Sequence, residues 1–326
     1  MKIVCRILAL YVFMSSSLFA ERHEQTVLEY AQQCINEIGD MRAFDCSNGT
    51  NIPITVNGKL VTSEIPHQCD RPSLLSPTSD FPGQCAPYSK IRNLSYGDTQ
   101  ISVYCKRNTL LDDKDVRYDE VNVVLHNTGN GKTCWFQSAD GRKDTSRVPP
   151  PNEKVPPAGK ISAVEFWKSP GDVFKNANCV TCHDAGPYIM SPYIAQVWHL
   201  VPTDPWGKYS NIGPAFEGYH LDAINTAGNT CTGCHRIGSR KSCDVFLGFA
   251  TGNVLLPDHN PPPGNNQLAN TYPLSHWMPA DNNMSEAQWN EANIKSVKAL
   301  LSCCNDKLHK DPNCMFTPIT TSNKRK

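Results

Sequence analysis

The sequence has no net charge: 31 lysines and arginines balance 31 aspartates and glutamates, and only 19% of residues are charged. That removes any bulk electrostatic case for binding nucleic acid or an anionic membrane surface. It also lacks a hydrophobic run long enough to span a bilayer, which takes ~18 or more apolar residues. The most pronounced apolar stretch, Ile7 to Met14, is too short. It follows Lys2 and Arg6 and precedes Ser15-Ser16-Ser17 and Leu18-Phe19-Ala20, which is the order of a secretory signal. Residues 1–20 therefore read as a signal peptide cut after Ala20, with Leu18 larger than the residue expected near such a cut. A short uncleaved anchor is the competing reading. No internal repeat stands out beyond two five-residue motifs.

Cysteine is abundant instead. There are fifteen. Cys5 leaves with the signal and four belong to the two motifs. Six of the other ten lie in the N-terminal half: Cys34, Cys46, Cys69, Cys85, Cys105 and Cys134. Four follow the second motif: Cys243, Cys303, Cys304 and Cys314. Even counts on both sides predict disulfides closed within each region, in an oxidising compartment. Cys303 and Cys304 are adjacent at a helix end, so their side chains point about 100° apart and suit different partners, with Cys243 and Cys314 the local candidates.

Helical spacing of Val27, Leu28, Ala31, Ile35 and Ile38 predicts a short helix over Gln25 to Ile38. Asn57-Gly58 supplies the positive φ angles of a tight hairpin. Ile101 to Cys105, Val121 to His126 and Thr133 to Gln137 read as strands, the last two joined by a Gly/Asn-rich turn. Residues 21–147 are thus expected to form a disulfide-stapled, mostly β domain. Five prolines between Pro149 and Pro157 make 148–160 a semi-rigid linker. After it, Ser162 to Lys168, Val173 to Asn178 and Glu217 to Ala227 are candidate short helices. A Ser-x-x-Gln capping box at Ser285 starts a clearer one. The expected fold is α+β in two domains, the second (161–326) mainly α-helical.

Cys179-Val180-Thr181-Cys182-His183 and Cys231-Thr232-Gly233-Cys234-His235 both match the haem c attachment pattern Cys-x-x-Cys-His. Two thiols on one helical turn can each add to a vinyl group of one porphyrin, and the adjacent histidine then lies under the iron as proximal ligand. Given this chain's Cys and His content, one chance copy is expected roughly 0.02 times. Zinc is the competitor. Zinc ribbons, however, place their pairs about 15–20 residues apart, whereas 48 residues separate Cys182 from Cys231. A thioredoxin-like redox pair would not come twice with histidine. The cofactors expected are two haem c groups, attached through Cys179 and Cys182 with His183, and through Cys231 and Cys234 with His235.

Gly171-Asp172-Val173-Phe174 before the first motif resembles the first helix of class I cytochromes c. Trp277-Met278-Pro279, with the capped helix from Ser285, resembles that family's Met-Pro ligand loop and C-terminal helix. The resemblance covers roughly residues 161–302. It implies a cytochrome c-like domain in which Met278 binds the second iron, with His276 as substitute. His183 and His235 are only 52 apart, short of the ~80 or more residues of a single-haem domain, so one compact di-haem unit is expected. The two full domains of di-haem cytochrome c peroxidases are a different arrangement. The N-terminal half resembles no such family.

For the first iron, His220 is the preferred distal ligand, with Met190 and His199 as alternatives and an open position also compatible. Arg236, Arg240 and Lys241 suit either haem propionates or a solvated basic face. Phe174, Tyr188, Tyr193, Trp198, Trp206 and Phe216 are expected to pack around the porphyrins. Two functions stay open. One is electron transfer among exported redox partner proteins. The other is a peroxidase-like or small-molecule oxidase enzyme with one open iron. A milder reading makes the N-terminal domain a docking module.

Overall fold

Thr26 starts the first helix with a reciprocal cap. Its hydroxyl accepts from the Glu29 amide at 3.3 Å, and its own amide donates to the Glu29 carboxylate at 2.8 Å, satisfying two amides the helix itself cannot. This helix, α1 (Val27–Glu37), buries Val27, Tyr30, Ala31 and Cys34. The computed structural model describes residues 24–67, 69, 85–176, 178–189, 192–203, 206–216, 219, 221–251, 284–306 and 308–320.

Nine strands follow α1: β1 (Thr50–Asn51), β2 (Thr55–Val56), β3 (Lys59–Leu60), β4 (Lys90–Asn93), β5 (Thr99–Lys106), β6 (Arg117–Tyr118), β7 (Glu120–Asn127), β8 (Lys132–Gln137) and β9 (Lys143–Asp144). Strands β2 and β3 form the hairpin expected at Asn57-Gly58, where both residues have positive φ. The main sheet has the order β1-β4-β5-β7-β8-β10, in which β10 (Ser210–Asn211) runs parallel to β8. Alternation gives it two buried faces. Ile101, Val103, Cys105, Val121, Val123, Leu125, Cys134 and Phe136 lie on the α1 side. Tyr104, His126, Thr133 and Trp135 point the other way, towards the chain that follows the first motif.

Beyond the prolines come α2 (Ala163–Phe166), α3 (Pro170–Asn176), α4 (Cys179–Cys182), a 3₁₀ run Pro192–Leu200, β11 (Asp222–Thr226), β12 (Ile237–Gly238), a π turn Ser242–Phe246, α5 (Leu247–Ala250), α6 (Glu286–Asn305) and β13 (Cys314–Pro318). This corrects the expected fold class, because the described part of 161–326 is not a mainly α-helical cytochrome domain. Within Glu217 to Ala227, the stretch expected to be helical, Asp222–Thr226 form β11, the centre of a three-stranded antiparallel sheet β12-β11-β13. Ile224 faces inward with Phe316, against Cys243 and Leu300. Period-2 burial against a strand some ninety residues later overrides the weak helical pattern. The helix from Ser285 does form, with its capping box in place.

The core also runs across the Pro-rich stretch. Val148 is fully buried, the Trp167 indole donates to the Pro149 carbonyl at 2.9 Å, and Ala163, Phe166 and Val180 join the cluster of Val27, Val123 and Trp135.

Five disulfides close within the two regions as the counts required: Cys34–Cys134, Cys46–Cys105, Cys69–Cys85, Cys243–Cys304 and Cys303–Cys314. The adjacent pair Cys303 and Cys304 takes different partners. Among the described residues no helix is long and apolar enough to cross a membrane.

Gly131 is where the two halves of the chain share the sheet. It has φ +80°, its carbonyl accepts from the Ser210 amide at 2.8 Å, and a Cβ there would sit 2.7 Å from the Lys208 carbonyl carbon. Gly131→Ala meets both the left-handed backbone and that contact. It should lower unfolding free energy by more than about 1 kcal/mol, measured by denaturant titration. An unchanged midpoint would show that β10 is not held there.

Candidate functional site

The two motifs have one backbone hydrogen bond in common, although Cys179–Cys182 is a helical turn and Cys231–Cys234 a non-helical one. In each, the histidine amide donates to the carbonyl of the first cysteine, at 2.8 Å for His183 to Cys179 and 2.9 Å for His235 to Cys231. That bond closes a single turn over each motif. Asn178, with φ +42°, starts the first turn. The Asn229 side chain caps the second, accepting from the Cys231 and Thr232 amides at 3.0 and 3.3 Å. Ser296 and Asn293 of α6 hold Thr230 beneath it.

His183 is oriented from three directions. Its Nδ1 lies 2.9 Å from the Pro187 carbonyl. A carbonyl only accepts, so Nδ1 carries the proton and the Nε2 lone pair is left for a metal. The Trp135 ring packs 4.6 Å away, centroid to centroid. Buried Tyr209 donates to the His183 carbonyl at 2.7 Å. Burial lowers the His183 pKa to about 4, against the raising effect of the Pro187 hydrogen bond, so the ring is neutral, the form that ligates. His235 is more exposed.

The thiols are distinctive. Among the described residues ten cysteines are paired, and the four that are not are Cys179, Cys182, Cys231 and Cys234. Cys179 keeps some exposed surface, yet its desolvated setting pushes the thiol up to about 12. Burial raises Cys182 and Cys231 too. A dithiol built for disulfide exchange is tuned the other way, towards thiolate. Nor do the motifs meet as a zinc cage. Among the described residues no group of three or more His, Cys, Asp or Glu side chains converges to hold a metal, whereas structural zinc takes four such ligands.

A cleft of about 490 Å³ lies beside His235, between Trp206, Thr232 and the outer face of the small sheet. Asn225 and Met315 are directly opposed on β11 and β13, as are Ala223 and Thr317, and all four share that face. The Thr232 hydroxyl donates to the Asn225 side-chain carbonyl, seating the second motif on the sheet. A second cleft, about 400 Å³, lies beside Thr181 and is lined by Arg240, Lys241, Cys303 and Cys304.

The basic trio divides. Arg236 is buried and donates to the Ala185 and Gly207 carbonyls. Arg240 lies 4.2 Å over the Tyr219 ring. Lys241 lines the second cleft. His199 is exposed on the 3₁₀ run. Met278, His276, His220 and Met190 lie outside the described residues. Of the aromatics, Phe216 and Phe174 pack with Tyr30 and Tyr219, and Tyr193 with Tyr104. Sequence reasoning did not single out Trp135, Tyr209, Asp184 or Met315 for the site. Only Asp184 had a local signal, a charge directly after a motif histidine.

Compared with protein-family models, curated proteins and solved structures, the chain matches none.

Proposed function

We propose that the chain is an exported c-type cytochrome that carries two haems and passes electrons between exported redox partner proteins. The observation that carries this reading is the selective state of the cysteines. In a chain that pairs ten others, the four thiols left over are those of the two Cys-x-x-Cys-His motifs. Burial raises the pKa of Cys179, Cys182 and Cys231. Five disulfides and the signal-like residues 1–20 suit the compartment in which haem c is attached.

When bound, each haem supplies a one-electron couple. The chain's own part is positioning. Cys179 and Cys182, and Cys231 and Cys234, offer the thioether links. His183 presents Nε2 with its tautomer held by Pro187. Trp135 covers one side of that imidazole and keeps water from it. Around His235, the floor of the cleft offers a thioether, Met315, which is 43% exposed. Sulfur is a soft donor that raises a haem potential.

Met278 and Met315 are therefore rival ligands for the second iron, and paired variants separate them. Replacing the true ligand with alanine should abolish the sulfur-to-iron charge-transfer band of the oxidised protein and lower one potential, while the other variant leaves both unchanged. If both variants keep the band, neither methionine is bound. The optical and EPR spectra of the holoprotein test electron carriage itself. Two low-spin irons support it, and a high-spin iron that reacts rapidly with peroxide would replace it with an enzyme.

A further inference from the structure

The residue after each motif histidine reaches into the other motif's surroundings. Asp184 follows His183, is fully buried, and accepts from the amides of Arg240 and Ser242 at 2.7 and 3.2 Å and from the Ser242 hydroxyl. Those residues lie just beyond the second motif. Arg236 follows His235, is 8% exposed, and donates to the carbonyl of Ala185, just beyond the first motif, and to Gly207 at 2.7 Å. The fit is close. A Cβ on Gly238 would sit 2.4 Å from the Asp184 carboxyl carbon. A buried carboxylate or guanidinium is costly unless hydrogen bonds offset its desolvation, and here Asp184 accepts from residues just beyond the second motif while Arg236 Nε and Nη1 donate to carbonyls that follow the first.

We infer that Asp184 and Arg236 form a reciprocal clamp that fixes the two haem-attachment turns in one mutual orientation, so that the two haems act as a single electronically coupled pair. This rests on the di-haem reading above. Both are positioning residues. Each sets the next motif's backbone, and through it the angle and separation of the two porphyrins, on which transfer between them depends. An ordinary surface ion pair would contribute little and would not constrain orientation. Asp184, bonded to the segment just after the second motif, and Arg236, bonded to the segment that follows the first, constrain it from both sides.

The test uses the exported holoprotein and reads Soret circular dichroism, in which two coupled haems at fixed orientation give a two-signed couplet, together with the distance between the two ferric haems from pulsed EPR. Asp184→Asn places donor hydrogens where donors already point, and Arg236→Lys replaces the separate Nε and Nη1 donors by a single nitrogen. Each should keep two haems per chain by pyridine haemochrome while losing the couplet and broadening the distance distribution. Ser242→Ala removes one of the three bonds to Asp184 and should shrink the couplet without abolishing it. That variant decides the matter if the other two fail to fold. A couplet and distance unchanged in the folded variants would overturn the clamp, as would a parent with two haems and no couplet. A parent without haem would instead sink the di-haem reading itself.

Discussion

Exported holoprotein is expected to weigh the mature chain plus two haems, and a pyridine haemochrome assay should give a haem-to-chain ratio of two. Removing both thiols of one motif, as Cys179→Ala with Cys182→Ala or Cys231→Ala with Cys234→Ala, should halve that ratio. The porphyrin in question then has no thioether link and is lost on denaturation. The two double variants should not behave alike. His183 is held by Pro187, Trp135 and Tyr209, so haem can stay there by iron ligation alone until the protein unfolds. His235 sits more exposed beside its cleft, and its unlinked haem should be lost under native conditions. A ratio of one or zero in the parent ends the di-haem reading. Unchanged ratios in both variants would mean that the haem, if present, is attached elsewhere.

What was legible in the sequence was local. The helix over Gln25 to Ile38, the Ser285 capping box, the Asn57-Gly58 hairpin and the alternation along β5, β7 and β8 each depend on residues a few positions apart, and each appears where expected, the first helix as Val27–Glu37. The parity of the cysteines divided them between the two halves. It also let Cys303 and Cys304 be assigned away from one another. The failure at β11 has a non-local cause. Leu221 to Ala227 is compatible with either period, and the choice is made by β13, whose first residue, Cys314, is stapled to α6 through Cys303. The same logic applies to the site. The residues of each motif are contiguous and could be read directly. Trp135 and Tyr209 reach His183 only through the main sheet, and Met315 faces the cleft beside His235 only through the strand pairing with Asn225. Opposite charges directly after the two motifs were visible all along. Their reciprocity needed the fold.

Among the disulfides, Cys34–Cys134 is expected to contribute most to stability. It closes a separation of 100 residues, whereas Cys69–Cys85 closes 16. In the chain-entropy account, loops of those lengths correspond to about 4.7 and about 3 kcal/mol. Cys34→Ala with Cys134→Ala should therefore lower the unfolding free energy by roughly 1.6 kcal/mol more than Cys69→Ala with Cys85→Ala. Packing adds to the difference in the same direction. Cys34 and Cys134 are 1% and 0% exposed and sit in the main core, while Cys69 and Cys85, at 4% and 6%, line a smaller cluster. Urea titration of the oxidised holoprotein, followed by far-ultraviolet circular dichroism, measures both losses. Equal losses, or a larger loss for the short loop, would contradict the ranking. A spectroscopic consequence is specific to the long bridge. Cys134 ties β8 to α1, and the next residue is Trp135, whose amide donates to the Tyr30 hydroxyl at 3.0 Å and whose ring lies against His183. With the bridge gone, that strand is held to α1 by packing and this one hydrogen bond. The Soret signal of the haem on His183 should then change at lower urea than the backbone signal, while in the short-loop variant the two stay coincident. On the di-haem reading the first haem would report on β8, because His183 packs against Trp135 of that strand.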